Sequence, residues 1–514
     1  MAPHAYYTYL EMNGDRFFTA VLLPEKEGRF PTVIYRSPYV ADAVDTDEDQ
    51  LLQGYLHSFR RWLARGYAFI YQHCKGQGKS TGAFVPYVHE REDGLALREW
   101  IRTRPFYNGE LFLVGGSYET SLHYATAPFE SDVKGAVFEV QDSERYRLWY
   151  RNGQMRKGHA NWHFDLYKRN CGLDKQFSMR SFSDLPLASL SERVLGDRAE
   201  DFEQMLSAQA ISDPFWSTRA GGCDTRGAID HANIPILLTT GYHDYYIGGV
   251  FQMWRDMDEA TKRQSALLIS PYNHGDEYDN DVGLSHENGK RREQFGRTYT
   301  IDWLDHVRNN TPLPYRPGVI TYYRAFESGW AGDFEATPTK DVNVPLGSGE
   351  RTLRYDPLNP IAFSTEGMLD ATPIDGRTDV ISLTLPPLQR DVFIKGRMRA
   401  SVTVSSNCED TSFYLRISIK RGGSVYPMRH DITSLCYQLG DYTPGEEVTL
   451  SFCFDEYAFL LRTEDSLQVD ITAADDNTYV CHTNKKGAYA EQTEAVVATN
   501  RVNLDKSYLI LPIE

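Results

Sequence analysis

Apolar positions in the first part of the chain fall into short runs that are apolar on both faces. Thr32-Val33-Ile34-Tyr35, Ala68-Phe69-Ile70-Tyr71, Leu111-Phe112-Leu113-Val114 and Ala136-Val137-Phe138 are each bounded by Gly, Pro or charge. Such runs suit strands buried on both faces of a parallel sheet. Between them, Arg91 to Arg102 spaces Leu95, Leu97, Trp100 and Ile101 along one side, which predicts an amphipathic helix. Strands alternating with helices imply a parallel sheet covered on both faces.

The pattern changes at about residue 142. From there to about 233 the chain is rich in Arg, Trp, Tyr and Ser, shows helical spacing and lacks strand-like runs. Strand patterns resume at Ile236-Leu237-Leu238-Thr239 and Ala266-Leu267-Leu268-Ile269. The middle stretch therefore predicts a helical cap, inserted after the sixth strand or so, over the edge of the sheet where α/β sites lie. Beyond about residue 340 strict alternation takes over: Val402 and Val404; Phe413, Leu415, Ile417 and Ile419; Leu450, Phe452 and Phe454; Leu467, Val469 and Ile471. Turn sequences such as Arg421-Gly422-Gly423 and Pro444-Gly445-Glu446 divide these stretches, as in an antiparallel, jelly-roll-like β-sandwich. The expected organisation is an α/β core over 1–141 and 234–340, a cap over 142–233 and a sandwich over 341–514. There is no internal repeat or low-complexity tract.

Composition narrows the partners more than the fold. A length of 514 residues exceeds one ordinary core. The formal net charge of −17 speaks against nucleic acid or an anionic membrane surface as partner, since either needs a basic face. No apolar run approaches the roughly 18 residues that span a bilayer, and MAPHAYYTYLEMNGDRFF does not read as a secretory leader. The seven cysteines, Cys74, Cys171, Cys223, Cys408, Cys436, Cys453 and Cys481, are scattered and odd in number. Reduced thiols in a cytoplasm are the expectation, with no disulfide framework and no zinc site.

The chemistry starts at Gly115-Gly116-Ser117-Tyr118-Glu119, which follows an apolar strand and precedes a stretch able to be helical. Strand, tight turn with serine at its tip, then helix is the setting of a nucleophile elbow in α/β-hydrolases. Small residues before the serine permit the turn, and the helix N-terminus behind it favours developing negative charge. The second glycine of G-x-S-x-G is replaced by Glu119. A serine hydroxyl needs a base within reach and an acid to orient that base. In this fold they follow the serine as acid, then histidine, each on a loop after a strand. Gly241-Tyr242-His243-Asp244 follows one later strand and Pro271-Tyr272-Asn273-His274-Gly275 the next, so Asp244 is the expected acid and His274 the expected base.

With these motifs the chain resembles the cocaine esterase and Xaa-Pro dipeptidyl-peptidase (CocE/NonD) group of serine hydrolases. The resemblance rests on Arg36-Ser37-Pro38-Tyr39, the Gly-rich Lys75-Gly76-Gln77-Gly78-Lys79-Ser80-Thr81-Gly82, Gly115-Gly116-Ser117-Tyr118, and the Asp244 and His274 segments, in that order. It covers essentially the whole chain. It implies Ser117 as nucleophile, His274 as general base and acid, and Asp244 as the group that holds the imidazole. It further implies an oxyanion hole from the Tyr118 backbone N–H and the Tyr39 hydroxyl, with no metal or organic cofactor. Two departures stand out: Thr120 where the family commonly has glycine, and His73-Cys74-Lys75-Gly76 for its usual Asp-x-Arg-Gly. The second implies loss of a structural ion pair.

Other residues have plainer readings. His243 points away from its neighbour Asp244 and suits a structural or cap-contacting role. Asp276 and Glu277 lie too close to His274 along the chain to face its ring easily. The Gly76 to Gly82 loop lacks phosphate-loop spacing. Glu119 could anchor a substrate amine, or turn into the helix. Trp149, Tyr150, Trp162, Phe164 and Tyr245 are candidate pocket residues, although a cap buries such aromatics in any case.

The expected substrate is a small-molecule ester, amide or short peptide, with homo-oligomerisation left open. A dipeptidyl-peptidase must hold a free α-amino group. The acidic pair that related amino-ester hydrolases carry shortly after the aspartate is replaced here by Tyr245-Tyr246-Ile247-Gly248. That favours an esterase or amidase with a small to medium acyl group over an Xaa-Pro dipeptidyl-peptidase or amino-ester hydrolase. Thr120 and the altered Gly-rich loop motivate a third reading, a catalytically silent binding protein on the same fold.

Overall fold

The computed structural model describes all residues except 1, 172–183, 197, 218–223, 277–287 and 328. The chain opens with a hairpin of β1 (His4–Met12) and β2 (Asp15–Leu23), turned at Asn13-Gly14 with both residues at positive φ. Next come β3 (Phe30–Ser37), α1 (Glu48–Ala64), β4 (Ala68–His73), α2 (Glu90–Arg102), β5 (Tyr107–Gly116), α3 (Tyr118–Tyr124) and β6 (Val133–Glu139). The four apolar runs and the amphipathic helix of the sequence fall inside β3 to β6 and α2. The hairpin at the start lies outside that reading.

After β6 the chain leaves the sheet for the cap. Here α4 (Arg145–Trp149), a small ribbon of β7 (Tyr150–Arg151) and β8 (Gln154–Met155), and α5 (Lys157–Cys171) precede further short helices. Among the described residues, the regular elements of the cap are helical apart from that ribbon. The sheet resumes at β9 (Ile236–His243), β10 (Ala266–Asn273), β11 (Ile320–Tyr323) and β12 (Trp330–Ala331).

Among the described residues these strands order as β1-β2-β4-β3-β5-β6-β9-β10-β11-β12. From β4 to β11 every pairing is parallel, and the flanking strands are antiparallel. Parallel strands share one C-terminal edge, so loops leaving β3, β5, β9 and β10 open on the same side of the sheet. The C-terminal part is an antiparallel sandwich. One sheet is built around the long strand Ala498–Ile513, and the other runs Val380–Thr384, Ser466–Thr472, Ser412–Arg421, Ser424–Ser434. Val402, Leu415, Ile417, Val469 and Ile471 are buried, and one apolar cluster joins them to Ile236, Leu238 and Leu267 of the parallel sheet. The two parts share a core.

The C-terminal end of β3 is tied into the core by a buried cation. Arg36 Nη1 lies 3.1 Å from Glu90 Oε2, its Nη2 lies 3.8 Å from Asp93, and its Nε donates to Gln72 Oε1 at 3.0 Å. Glu90 also accepts from the Tyr118 hydroxyl at 2.8 Å, which links β3, α2 and the residue after Ser117. Breaking a buried pair strands its partners, so Arg36→Met is expected to destabilise the protein by about 3–5 kcal/mol. Urea denaturation checks this, and a loss below about 1 kcal/mol would show that the pair contributes little.

Candidate active site

Four sequence-predicted residues stand at the ends of parallel strands. Ser117 directly follows β5, Asp244 follows β9, His274 follows β10, and Tyr39 lies two residues past β3. Register brings the acid and the base together. Asn273 pairs with His243 across a local irregularity in β10, so the next residue on each strand emerges beside the other. Gly241 permits that irregularity, since a Cβ there would sit 2.1 Å from the Tyr272 carbonyl oxygen. His274 Nδ1 and Asp244 Oδ1 are 3.0 Å apart. The buried carboxylate also accepts from Thr240 Oγ1 at 2.9 Å and from the Tyr246 N–H at 3.2 Å. Each carboxylate oxygen thereby takes a donor from the surrounding backbone or side chains, and the imidazole is held by Oδ1.

Ser117 has φ 55° and ψ −131°, a region that a residue with a side chain occupies only when its surroundings force it. Its N–H donates to the Glu139 carbonyl at 2.9 Å, and its own carbonyl accepts from the Thr120 N–H at 2.9 Å. Thr120, the departure from glycine, is fully buried and donates through Oγ1 to the Gly115 carbonyl at 2.6 Å. Its hydroxyl closes the turn from within. Gly115 packs so closely on the first turn of α3 that an added Cβ would meet the Glu119 carbonyl carbon and oxygen at 2.6 Å.

Glu119 turns beneath the elbow and away from the open site. Ser37 Oγ donates to it at 2.6 Å and the Tyr35 hydroxyl donates to its other oxygen. Ser37 Oγ in turn accepts from the Tyr39 N–H at 3.1 Å, so Glu119 braces the loop that carries Tyr39. Burial pushes its carboxyl up to about 7, against the pull of these hydrogen bonds.

Tyr39 is 39 % exposed. Trp162 Nε1 from α5 donates to its hydroxyl at 3.1 Å, and the Ser117 side chain and the Tyr118 backbone lie close to it. An indole can only donate, so Trp162 occupies an acceptor position on the oxygen and leaves the phenol proton free to point elsewhere. Burial raises the Tyr39 pKa to about 12, with these hydrogen bonds opposing, so the phenol keeps its proton at neutral pH.

Ser117, Tyr118, Asp244 and His274 line one cavity of about 460 Å³, with Trp162 and the 59 %-exposed Tyr245 on its walls. The other three aromatic candidates lie elsewhere. Trp149 and Phe164 are buried in the cap, Phe164 against Phe202 at 4.5 Å, and Tyr150 is buried with its hydroxyl on the Met205 carbonyl. A cap has to fill its own interior, and these rings do so.

His243 is buried with Nε2 2.9 Å from the Tyr457 hydroxyl and Nδ1 3.7 Å from Glu366, so it contacts the sandwich and not the cap. Asp276 accepts from the Arg291 N–H at 3.0 Å, and Glu277 lies outside the described residues. Lys75 pairs with Asp15 at 2.8 Å, which supplies an ion pair at the altered Gly-rich loop. The cavity also takes walls that sequence reasoning did not name: Tyr87, Arg156, His159, Tyr246, Glu366 and His430 among them. Tyr246 was within reach, lying two residues past Asp244. The rest stand in no motif and meet only through the fold. Among the described residues, no group of three or more His, Cys, Asp or Glu side chains could hold a metal ion, and no helix is long and apolar enough to cross a membrane.

Fold and site together define an α/β-hydrolase with an inserted cap and an appended β-sandwich. The profile of the X-Pro dipeptidyl-peptidase (S15) family matches residues 13–276, and the chain belongs to that family of serine hydrolases, which includes esterases and peptidases. It is 22 % identical to the cocaine esterase of Rhodococcus sp. (strain MB1 Bresler) over 583 aligned positions, covering 98 % of this chain and 96 % of that protein. Among solved structures, an α-amino acid ester hydrolase superposes with TM-score 0.81 at 17 % identity, covering 100 % of this chain and 97 % of the other. An aminopeptidase from a marine-sediment Thaumarchaeota archaeon does so with TM-score 0.77 at 16 % identity, covering 99 % and 96 %.

Two predictions follow from the elbow's packing. Gly115→Ala is expected to lose about 1–3 kcal/mol through overpacking, whereas Gly116→Ala, whose added Cβ meets nothing nearer than 3.9 Å, should lose far less. Parallel denaturation curves decide, and equal losses would mean that the contact at Gly115 relaxes freely. The second prediction concerns Glu119. The folded protein keeps its proton between the ordinary 4.5 and about 7, where the unfolded chain has released it. Stability from this group is therefore full below about pH 4.5 and falls as pH rises to about 7. Glu119→Gln should flatten that part of the stability-against-pH curve, and an unchanged slope would refute the assignment.

Proposed function

We propose that the protein hydrolyses a carboxylic ester or amide through an acyl-enzyme on Ser117, with esters of small to medium acyl groups as the favoured substrates. The observation that carries this reading is the convergence of the strained Ser117 elbow and the Asp244–His274 pair on one cavity beside the Tyr39 hydroxyl. In the first half-reaction Ser117 Oγ bonds to the carbonyl carbon while His274 takes its proton. The oxyanion accepts from the Tyr39 O–H and the Tyr118 N–H. The bond to the leaving group then breaks as His274 returns the proton to it. Water repeats the sequence on the acyl-enzyme, with His274 again as base and Ser117 Oγ as leaving group. Asp244 fixes the imidazole tautomer and stabilises the imidazolium.

Two features favour ester over N-terminal peptide substrates. The positions after Asp244 carry Tyr246, whose hydroxyl meets His159 Nδ1 at 3.1 Å, and buried Ile247. The carboxylates on the cavity wall are also engaged. Asp244 holds His274, Glu366 holds Arg429 and His430, Asp455 holds Arg151, and Asp475 accepts from the Phe363 N–H and Thr478 Oγ1. Each thus accepts hydrogen bonds from the protein itself, and three of the four face a basic side chain. The name of the cocaine esterase relative, a protein that aligns along nearly the whole chain, points the same way.

A fluorophosphonate probe is expected to label Ser117 on the folded protein and to leave Ser117→Ala unlabelled. Short aryl esters should be cleaved, with Tyr39→Phe lowering kcat about 10²- to 10³-fold. Release of dipeptides from Xaa-Pro amides without aryl-ester cleavage would overturn the esterase preference. Absence of any Ser117 adduct would favour the catalytically silent reading.

A further inference from the structure

The basic side chains on the cavity wall are paired, with one exception. Arg151 meets Asp431 and Asp455, each at 2.7 Å; Arg416 meets Asp470 at 2.7 Å and Asp370 at 2.6 Å; Arg429 meets Glu366 at 2.9 Å. Arg156 is only 8 % exposed and has no carboxylate partner among the described residues. Its Nε is buried without a hydrogen-bond partner, and its guanidinium carbon lies 5.8 Å from the centroid of the Tyr479 ring. A buried guanidinium without an anion is costly. A chain that keeps one on the wall of its candidate active site holds it ready for an anion that arrives from outside.

Its setting fits that use. Arg156 immediately precedes α5, the helix whose Trp162 holds the Tyr39 hydroxyl. One turn on, His159 lines the same cavity, and its Nε2 is likewise buried and unpartnered. Burial, with the charges of neighbouring groups including Arg156, holds that imidazole well below its ordinary pKa, which favours its neutral form. Arg156 also borders a second cavity of about 360 Å³, whose other arginines, Arg147, Arg151 and Arg397, are each paired with a carboxylate. A guanidinium receives a carboxylate through two parallel N–H donors, which fixes direction as well as charge.

We propose that Arg156 receives a carboxylate of the substrate, so that the hydrolase acts on esters or amides that carry a free carboxylate apart from the scissile bond. The proposal rests on the reading of Ser117 as nucleophile and names the substrate class of that site. The carboxylate can belong to the acyl part, as in a monoester of a dicarboxylic acid, or to the leaving group, as in an acylated hydroxy acid. Both present the same chemistry to Arg156.

The test compares two pairs of substrates: a mono-aryl glutarate with its neutral methyl-ester twin, and an acetoxybenzoate with its methyl ester. In one pair the wild-type protein is expected to favour the anionic member by at least tenfold in kcat/KM, and the pair tells which side carries the charge. Arg156→Gln should reduce that ratio tenfold or more, and Arg156→Lys should restore part of it. A ratio favouring the neutral member in both pairs, or one that Arg156→Gln leaves unchanged, overturns the proposal. If Arg156→Gln does not fold, the wild-type ratio and Arg156→Lys decide. Calorimetric titration of Ser117→Ala with glutarate separates the two readings. Binding lost in the Ser117→Ala/Arg156→Gln double variant, with no ester cleaved by the wild type, sinks the hydrolase reading and keeps the anion site. Ester cleavage with no such binding and no anionic preference sinks the anion site alone.

Discussion

The site depends on one backbone conformation, that of Ser117. A residue with a side chain at φ 55° and ψ −131° persists only if its neighbours leave it no alternative. Here they are Gly115, which has no room for a Cβ against the start of α3; Thr120, whose hydroxyl caps the Gly115 carbonyl; and Glu139, whose carbonyl takes the Ser117 N–H. Thr120 and Glu119 break the usual motif, and both work to hold the turn. Thr120 closes it from inside, and Glu119 ties it to Ser37 and Tyr35 on the neighbouring strand. The departures from pattern are substitutions in the support of the elbow and leave its serine in place.

The same support reaches the oxyanion side. Arg36, Ser37 and Tyr39 are consecutive parts of one motif, and each faces a different task. Arg36 anchors the strand end on Glu90 and Asp93, Ser37 bridges Glu119 to the Tyr39 N–H, and Tyr39 carries the hydroxyl that Trp162 contacts. Since Glu90 also holds the Tyr118 hydroxyl, the two candidate oxyanion donors hang from one buried network. Movement of either donor would disturb charges with no solvent to screen them, which makes the pair rigid.

Much of this was legible in the sequence because it is local. Short runs apolar on both faces, alternating with helical patterns, suit buried parallel strands, and the residues just after such strands share one sheet edge. That logic brought Ser117, Asp244 and His274 together without a contact being known. The opening hairpin carried its own signal, Asn13-Gly14 between alternating segments, a two-residue turn that favours positive φ at both positions. The aromatic candidates were harder for a physical reason. Trp149 on α4 and Trp162 and Phe164 on α5 have similar apolar character, and only packing against Phe202 or contact with Tyr39 separates a core ring from a wall ring. Arg156 was not legible at all, because the absence of a counter-ion is a property of three-dimensional surroundings.

The C-terminal sandwich does more than wall the cleft. Tyr242 and His243 end β9 just before Asp244, and both contact Tyr457 of the sandwich. His243 meets Tyr457 and Glu366 of the sandwich, while the Tyr242 hydroxyl bonds to the Tyr323 carbonyl and its ring packs 4.4 Å from that of Tyr457. Glu366 is itself fixed by Arg429 and His430, and burial alone would raise its carboxyl, yet these neighbouring cations hold it well below the usual carboxylate range. The acid of the candidate triad is therefore positioned from two sides, by Thr240 within its own sheet and by ionised groups of the sandwich through His243. A core cluster continuous between the two parts gives the same result for apolar contacts. The α/β core could supply the order of the three residues alone, but the place of Asp244 relative to His274 is set jointly with the sandwich.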